Sequence, residues 1–220
     1  RFASGERRGP GLPAAPKPAT ETGDMNAASP PRVIARPCFQ QDLEPVQLIY
    51  AHHVLTGTAT FEIEPPSLEE MTQRWSNIVS NNWPFVVASP PSDMSRVLGF
   101  AYAKPYHHRA AYAHTVETSV YAAHTTLRQG AGAAMLSDVL TTLRGDGVRE
   151  AVALIGDSAN AASIGLHQKM GYAYIGTLTQ VGEKFGRMLD VVIMQRSMRT
   201  RLVSLALVLL LGRTGIADDE

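Results

Sequence analysis

Cysteine is almost absent from this chain: of 220 residues, Cys38 stands alone. No intramolecular disulfide can form, and a lone thiol suits a reducing compartment, hence the cytoplasm. Net charge is absent as well, because 20 Lys plus Arg balance 20 Asp plus Glu. That balance removes the electrostatic footprint of a nucleic-acid binder, and no nucleic-acid partner is expected. Long apolar runs are also lacking. The most apolar stretch, residues 202–211, would span roughly 15 Å as a helix, half of a ~30 Å hydrocarbon core, so no membrane span is expected. Packing on the domain, association, or a translation artefact are its open readings. Internal repeats are missing too.

Large apolar side chains are scarce in residues 1–31, which are rich in Pro, Gly and Ala. Such a segment cannot bury enough surface to offset its ordering entropy and is expected to be a disordered extension. It lacks the apolar region of a secretory signal. Met25 is a candidate start. A transit-like leader, suggested by Arg1, Arg7 and Arg8, fits less well because Glu6, Glu21 and Asp24 intervene and no amphipathic run is visible.

The remainder, residues 32–198, has the length of one domain with a full core, followed by a tail over 199–220. Residues 33–37 read as a strand, and Asp42 opens a helix through Leu43, Val46, Leu48, Ile49 and Val54. Alternation over residues 58–64 predicts an extended segment, ended by Pro65-Pro66. Ser67, with Glu70 three residues on, forms a capping box for a helix to about Val79. Residues 84–88 and 97–103 read as paired strands. Glu150 to Ile155 is a continuous apolar run, a buried strand. Asp157 or Ser158 is expected to cap the next helix, and Gly171 to end it. Residues 172–180 and 187–194 complete the set. Strands interleaved with helices predict an α/β (α+β) fold, a mixed central β-sheet flanked by helices.

The most informative stretch is HTVETSVYAAHTTLRQGAGAA, from His114 to Ala134. Thr115 to Tyr121 is rich in Thr, Val and Tyr, which suit a pleated surface. Alternation sets Thr115, Glu117, Ser119 and Tyr121 on one face, with Val116, Thr118 and Val120 on the other. Behind Gly130-Ala131-Gly132 come Met135, Leu136, Val139, Leu140 and Leu143 at helical spacing. Glycines at a helix start allow close approach of a ligand, and free N–H groups at the positive dipole end attract phosphate. A lone G-x-G is equally an ordinary helix start, and the third glycine of a dinucleotide fingerprint is absent.

HTVETSVY followed by this helix start resembles the centre of the GNAT superfamily of N-acetyltransferases, and more narrowly its phosphinothricin or methionine-sulfone N-acetyltransferase branch. Residues 106–132 carry the likeness. So do DSANAASIGLHQKMGY at 157–172 and VGEKFGRMLDVVIMQ at 181–195. The resemblance implies a GNAT fold, acetyl-CoA as co-substrate, no metal, a small-molecule amine as partner, and a homodimer.

It also implies roles for individual residues. Glu117 is the general base that frees the acceptor amine, where a solvent-facing structural carboxylate is the plain alternative. Ser119, Val120 and Tyr121 lie along the pantetheine. Leu127, Arg128, Gln129, Gly130, Ala131, Gly132 and Ala133 hold the pyrophosphate. Asn160 contacts the coenzyme. His167, two turns on, stands where many superfamily members use Tyr to protonate the leaving thiolate; a structural hydrogen bond is its alternative. Arg109 grips the acceptor's acidic end, and His107 stands where the branch tends to have Lys or Arg. Tyr112 and Phe61 are pocket walls or core. Leu127 departs from the family's Arg or Gln and implies weaker coenzyme binding, since backbone N–H groups make most phosphate contacts.

The expected activity is therefore acetyl transfer to the α-amine of an amino-acid analogue such as phosphinothricin, methionine sulfone or sulfoximine. A protein N-terminus or a polyamine is the alternative acceptor, and a non-catalytic coenzyme A-binding module the alternative class.

Overall fold

The computed structural model describes residues 33–145 and 147–199. The expectations for residues 1–31 and for the apolar run at 202–211 lie outside the described residues. Seven strands form one mixed sheet: Ile34–Pro37 (β1), Phe85–Ser89 (β2), Gly99–Pro105 (β3), Thr115–Ala122 (β4), Glu150–Gly156 (β5), Ala173–Lys184 (β6) and Arg187–Ser197 (β7). Their order is β1-β2-β3-β4-β5-β7-β6. The β4–β5 pair is parallel; every other neighbour is antiparallel.

Helices cover both faces. Leu43–Thr56 (α1) and Leu68–Ser80 (α2) share a core cluster with Phe85, Val87 and Phe100. Ala131–Arg144 (α3) fills the other face with Met135, Leu136, Val139, Leu140 and Leu143, none more than 2% exposed, against Val86, Ala101, Val116 and Ala153. At roughly 1.5–3 kcal/mol for each fully buried side chain, this stripe contributes on the order of 10 kcal/mol of transfer free energy. Ala161–Lys169 (α4) lies beside β5 and β6.

Local chemistry explains several boundaries. Asp42 lies in a 3-10 turn before α1, and its side chain makes no cap bond to that helix. Instead its carboxylate takes two bonds from Arg36, at 2.7 and 2.8 Å, and one from the Phe39 N–H at 2.8 Å. Burial pushes this carboxyl upward, but the Arg36 and Phe39 bonds prevail and hold it below the usual carboxylate range. Ser67 accepts from the Glu70 N–H as expected, while the Glu70 carboxylate goes to Arg74 at 2.5 Å rather than back to the cap.

Three expectations are corrected. Residues 58–64 form no strand. They run as an irregular segment tied down by side chains: Thr58 donates to Asp157 at 2.8 Å, and the Thr60 carbonyl accepts from Lys184 at 2.8 Å. Alternation here reflects a loop with one face turned to the domain. Neither Asp157 nor Ser158 caps α4; Asn160 does, accepting from the Ser163 N–H at 3.2 Å. Asp157 is taken by Thr58 and by the Ala159 N–H, and Ser158 by Asp190. The last two strands also run longer than periodicity suggested, because they pair with each other across irregularities.

Candidate active site

The site is built where β4 and β5 part. Their parallel pairing covers only Thr115 to Glu117 against Glu150 to Val152. Beyond Glu117, β4 stays paired with β3 to Ala122, and β5 stays paired with β7 to Gly156. A cleft opens between them, lined by Ser119, Val120 and Tyr121 on one side, Ala153 and Leu154 on the other, with Asn160 and His167 of α4 at its edge. The strand edges facing this cleft have no ladder partner among the described residues. Their N–H and C=O groups are free for a ligand with amides of its own.

Glu117 sits at the apex of the parting strands. Its side chain is 18% exposed and forms an ion pair with Lys104 of β3 at 3.2 Å. The register sets Glu117, Ser119 and Tyr121 opposite Lys104, Tyr102 and Phe100, so the alternation read from sequence places Glu117 on the α1/α2 face. On that face lies a cavity of about 350 Å³. Tyr50, Met71, Phe85 and Phe100 form its buried walls, and Glu62, Arg74 and Lys104 its charged mouth.

The cleft leads to the start of α3. Gly130 caps that helix with φ +89°, a left-handed conformation that favours glycine. A Cβ there would meet nothing within 4 Å, so its requirement is conformational rather than spatial. Arg128 is also left-handed, and Arg128 and Gln129 are exposed. The first backbone bond of the helix runs from Ala134 N–H to Gly130 O at 3.0 Å. The N–H groups of Ala131, Gly132 and Ala133 therefore have no intrahelical partner and stand at the positive end of the helix dipole, where an anion is favoured. Gly132 packs under Leu166 and beside Val120, which brings α3, α4 and β4 together. Leu127 is 60% exposed, and the polar side chains beside Gly130 are those of Arg128 and Gln129.

His167 is 3% exposed and stands edge-on to Tyr172. Its Nδ1 lies 2.8 Å from the Ser163 carbonyl. A carbonyl can only accept, so Nδ1 carries the proton and Nε2 is bare. Nε2 is buried without a partner. Burial lowers the ring's pKa, and the Ser163 bond opposes it only in part. The resting imidazole thus offers an acceptor to the cleft, whereas the expected acid role needs a second proton on the ring.

The expected substrate residues are not gathered here. His107, Arg109 and Tyr112 lie on the β3–β4 loop, outside the cavity and the cleft. His107 stacks on His108 and contacts Tyr112 at ring distances of 4.3 and 5.1 Å, and Arg109 is exposed. Phe61 is wedged against β5 and β6, where a Cβ on Gly182 would overlap its ring at 2.2 Å. Sequence reasoning missed Tyr50, Glu62, Arg74 and Lys104. Lys104 was visible as a charge in a strand, but only the β3–β4 register shows that it faces Glu117.

The residues fit the co-substrate implied by the resemblance. The unpartnered His167 Nε2 and β4 edge suit an amide-bearing arm, and the free α3 N–H groups suit its pyrophosphate. Among the described residues no group of three or more potential ligands stands ready for a metal ion.

The comparisons with known proteins agree with this geometry. The family described as acetyltransferase (GNAT) domain matches residues 36–193. A phosphinothricin N-acetyltransferase of Alcaligenes faecalis is 43% identical over 155 residues, covering 70% of this chain and 77% of that protein. An L-methionine sulfoximine/L-methionine sulfone acetyltransferase of Pseudomonas aeruginosa is 34% identical over 154 residues, covering 70% and 88%. A GNAT superfamily phosphinothricin acetyltransferase from Sinorhizobium meliloti, solved in complex with acetyl-CoA, superposes with a TM-score of 0.72 at 37% identity, covering 76% of this chain and 88% of that one.

Proposed function

This chain belongs to the GNAT acetyltransferase family and is an N-acetyltransferase; from that premise we propose that it acetylates the α-amine of a small amino-acid analogue. Phosphinothricin, methionine sulfone and methionine sulfoximine are the proposed acceptor types, acetyl-CoA the donor, and Glu117 the general base. The supporting observation is Glu117 at the apex of the β4–β5 cleft, with the aromatic cavity on its own sheet face.

When bound, acetyl-CoA supplies a thioester carbonyl carbon to the amine. An α-amine is an ammonium at neutral pH and has no lone pair to give. Glu117 removes one proton from it, directly or through water; the freed amine bonds to the carbonyl carbon, and as the C–S bond breaks the nitrogen sheds a second proton, which leaves it a neutral amide. The free N–H groups of Ala131, Gly132 and Ala133 hold the pyrophosphate, and Ser119, Val120 and Tyr121 flank the arm. Asn160 borders the same cleft with the amide group left over from its capping bond. His167 presents a bare Nε2 to the cleft, so the leaving sulfur takes the nitrogen's second proton, through solvent or through Glu117.

The acetyltransferase domain is assigned to residues 32–198, in a cytoplasmic homodimer. Cys38, buried and free, suits a reducing compartment. The dimer reading is supported by β6, an edge strand with Tyr174, Ile175, Leu178 and Val181 exposed. Sedimentation analysis checks it: a monomer at micromolar concentration would refute the assignment.

An acceptor screen tests the function. Free-thiol release from acetyl-CoA is expected with methionine sulfone and sulfoximine at rates no lower than with phosphinothricin, because the guanidinium beside the cavity, Arg74, is already countered by Glu62 and Glu70 and offers little to a second negative charge. Release only with polyamines or N-terminal peptides would replace the acceptor, and binding of acetyl-CoA without release to any amine would make the chain a coenzyme-binding module.

A further inference from the structure

We infer that Lys104 is the specificity residue that receives the acceptor's α-carboxylate, side by side with Glu117 receiving its ammonium. The inference rests on the amino-acid reading of the site given above. Three observations on this chain carry it.

First, Lys104 and Glu117 are direct partners across β3 and β4, with Nζ 3.2 Å from Oε1. A cation and an anion thus stand adjacent on one sheet face. An α-amino acid carries the same two charges separated by two covalent bonds, and laid antiparallel across this pair it meets an opposite charge at each end. Second, Lys104 is 45% exposed at its side chain and lines the mouth of the 350 Å³ cavity. That volume lies within the range of about 300–1,000 Å³ typical of small-molecule sites. With the head group on Lys104 and Glu117, the acceptor's side chain is directed toward Tyr50, Phe85, Phe100 and Tyr102.

Third, the other cations are less well placed. Arg74 is held by Glu62 at 2.8 Å and by Glu70 at 2.5 Å. Arg109 lies on the exposed loop and lines neither the cavity nor the cleft. Lys104 is a compact ammonium with three donors, of which the Glu117 pair uses one. Among the described residues it has no other ion-pair partner. A polyamine offers nothing to this cation, and a protein N-terminus has an amide where the carboxylate belongs.

The experiment compares each amino acid with its own primary amide. Steady-state constants are measured for methionine sulfone and its amide with the wild-type chain, Lys104→Met and Arg109→Met. Wild type should show a lower KM for the acid than for the amide. Lys104→Met should raise the acid's KM roughly ten- to a hundredfold, the loss expected of a charge-assisted bond, and leave the amide's KM within about twofold. If Lys104 only orients Glu117, acid and amide lose rate together and their ratio is unchanged, which overturns the inference. A preference abolished by Arg109→Met and kept in Lys104→Met overturns it too. Should no amino acid release thiol, the proposed activity fails by itself. Calorimetric binding of acid and amide to the coenzyme A-loaded protein then decides the role of Lys104 by the same ratio, and circular dichroism verifies that each variant is folded.

Discussion

Thr118 Oγ1 and Tyr172 OH lie 2.8 Å apart, buried beneath the point where β4 and β5 separate. Thr118 also donates to the Val152 carbonyl at 3.3 Å, so the tyrosine supplies the proton of the shorter bond. The pair ties β4 to β5 at the base of the cleft and to the segment that follows α4. Tyr172→Phe removes the donor and leaves a buried hydroxyl oxygen short of a partner. A stability loss of about 1–3 kcal/mol is expected in urea titration. The KM for acetyl-CoA should rise more than that of the acceptor, because the cleft and not the cavity is loosened.

Glu117→Gln keeps the shape of the side chain and cannot take a proton. Turnover at neutral pH should fall by about 10²–10⁴ while acetyl-CoA binding stays near normal by calorimetry. The deficit should shrink as pH rises toward the acceptor amine's own pKa, since free amine then exists without help. A deficit constant with pH would assign the proton transfer to another group.

Gly130 is required by its φ of +89° and by nothing around it. A β-branched residue costs about 1–2 kcal/mol in that conformation, or relaxes it and turns the first N–H groups of α3 away. Gly130→Val should raise the KM for acetyl-CoA about tenfold or more, with kcat at saturation much less affected. Gly130→Asn, which tolerates the left-handed region better, should show a smaller effect. Equal effects would mean that side-chain bulk, rather than conformation, matters.

His53 and His167 both have pKa values lowered by burial, partly offset by bonds to the carbonyls of Ala122 and Ser163. In the unfolded chain each ring titrates near 6.5, so below that pH the unfolded state binds more protons than the folded one. Their contribution to stability is fully present above pH 6.5 and is lost as pH falls through the lowered folded values. The decline is at most about 1.4 kcal/mol per pH unit for each ring. Asp42, held below the usual carboxylate range, remains charged through that window. Denaturation at pH 5 to 8 should show this slope, and replacing both histidines by Gln should flatten it.

The order of strands and helices was legible because their signals are local. The stripe of Met135, Leu136, Val139, Leu140 and Leu143 requires a helix with one buried face, and the structure buries it. The alternation through Glu117 settled which side chains share its face before any partner strand was known. Residues 58–64 misled because alternation records only which side chains turn inward, and a loop held by Thr58, Thr60 and Glu62 satisfies it without a ladder. Asn160 was assigned to a ligand while Asp157 and Ser158 were expected to cap, since three polar candidates within four residues cannot be ranked without knowing that Thr58 and Asp190 claim two of them.

By itself the sequence determined the fold class, the strand that carries Glu117 and the glycine-bearing helix start, because each rests on residue types at short spacing; the acetyltransferase family came from a resemblance carried by three separate blocks. Only the tertiary structure decided what surrounds Glu117. Lys104 is thirteen positions away, and the cavity walls come from α1, α2, β2 and β3. Contacts across a sheet depend on register and strand order, and neither is written in the periodicity of any one strand.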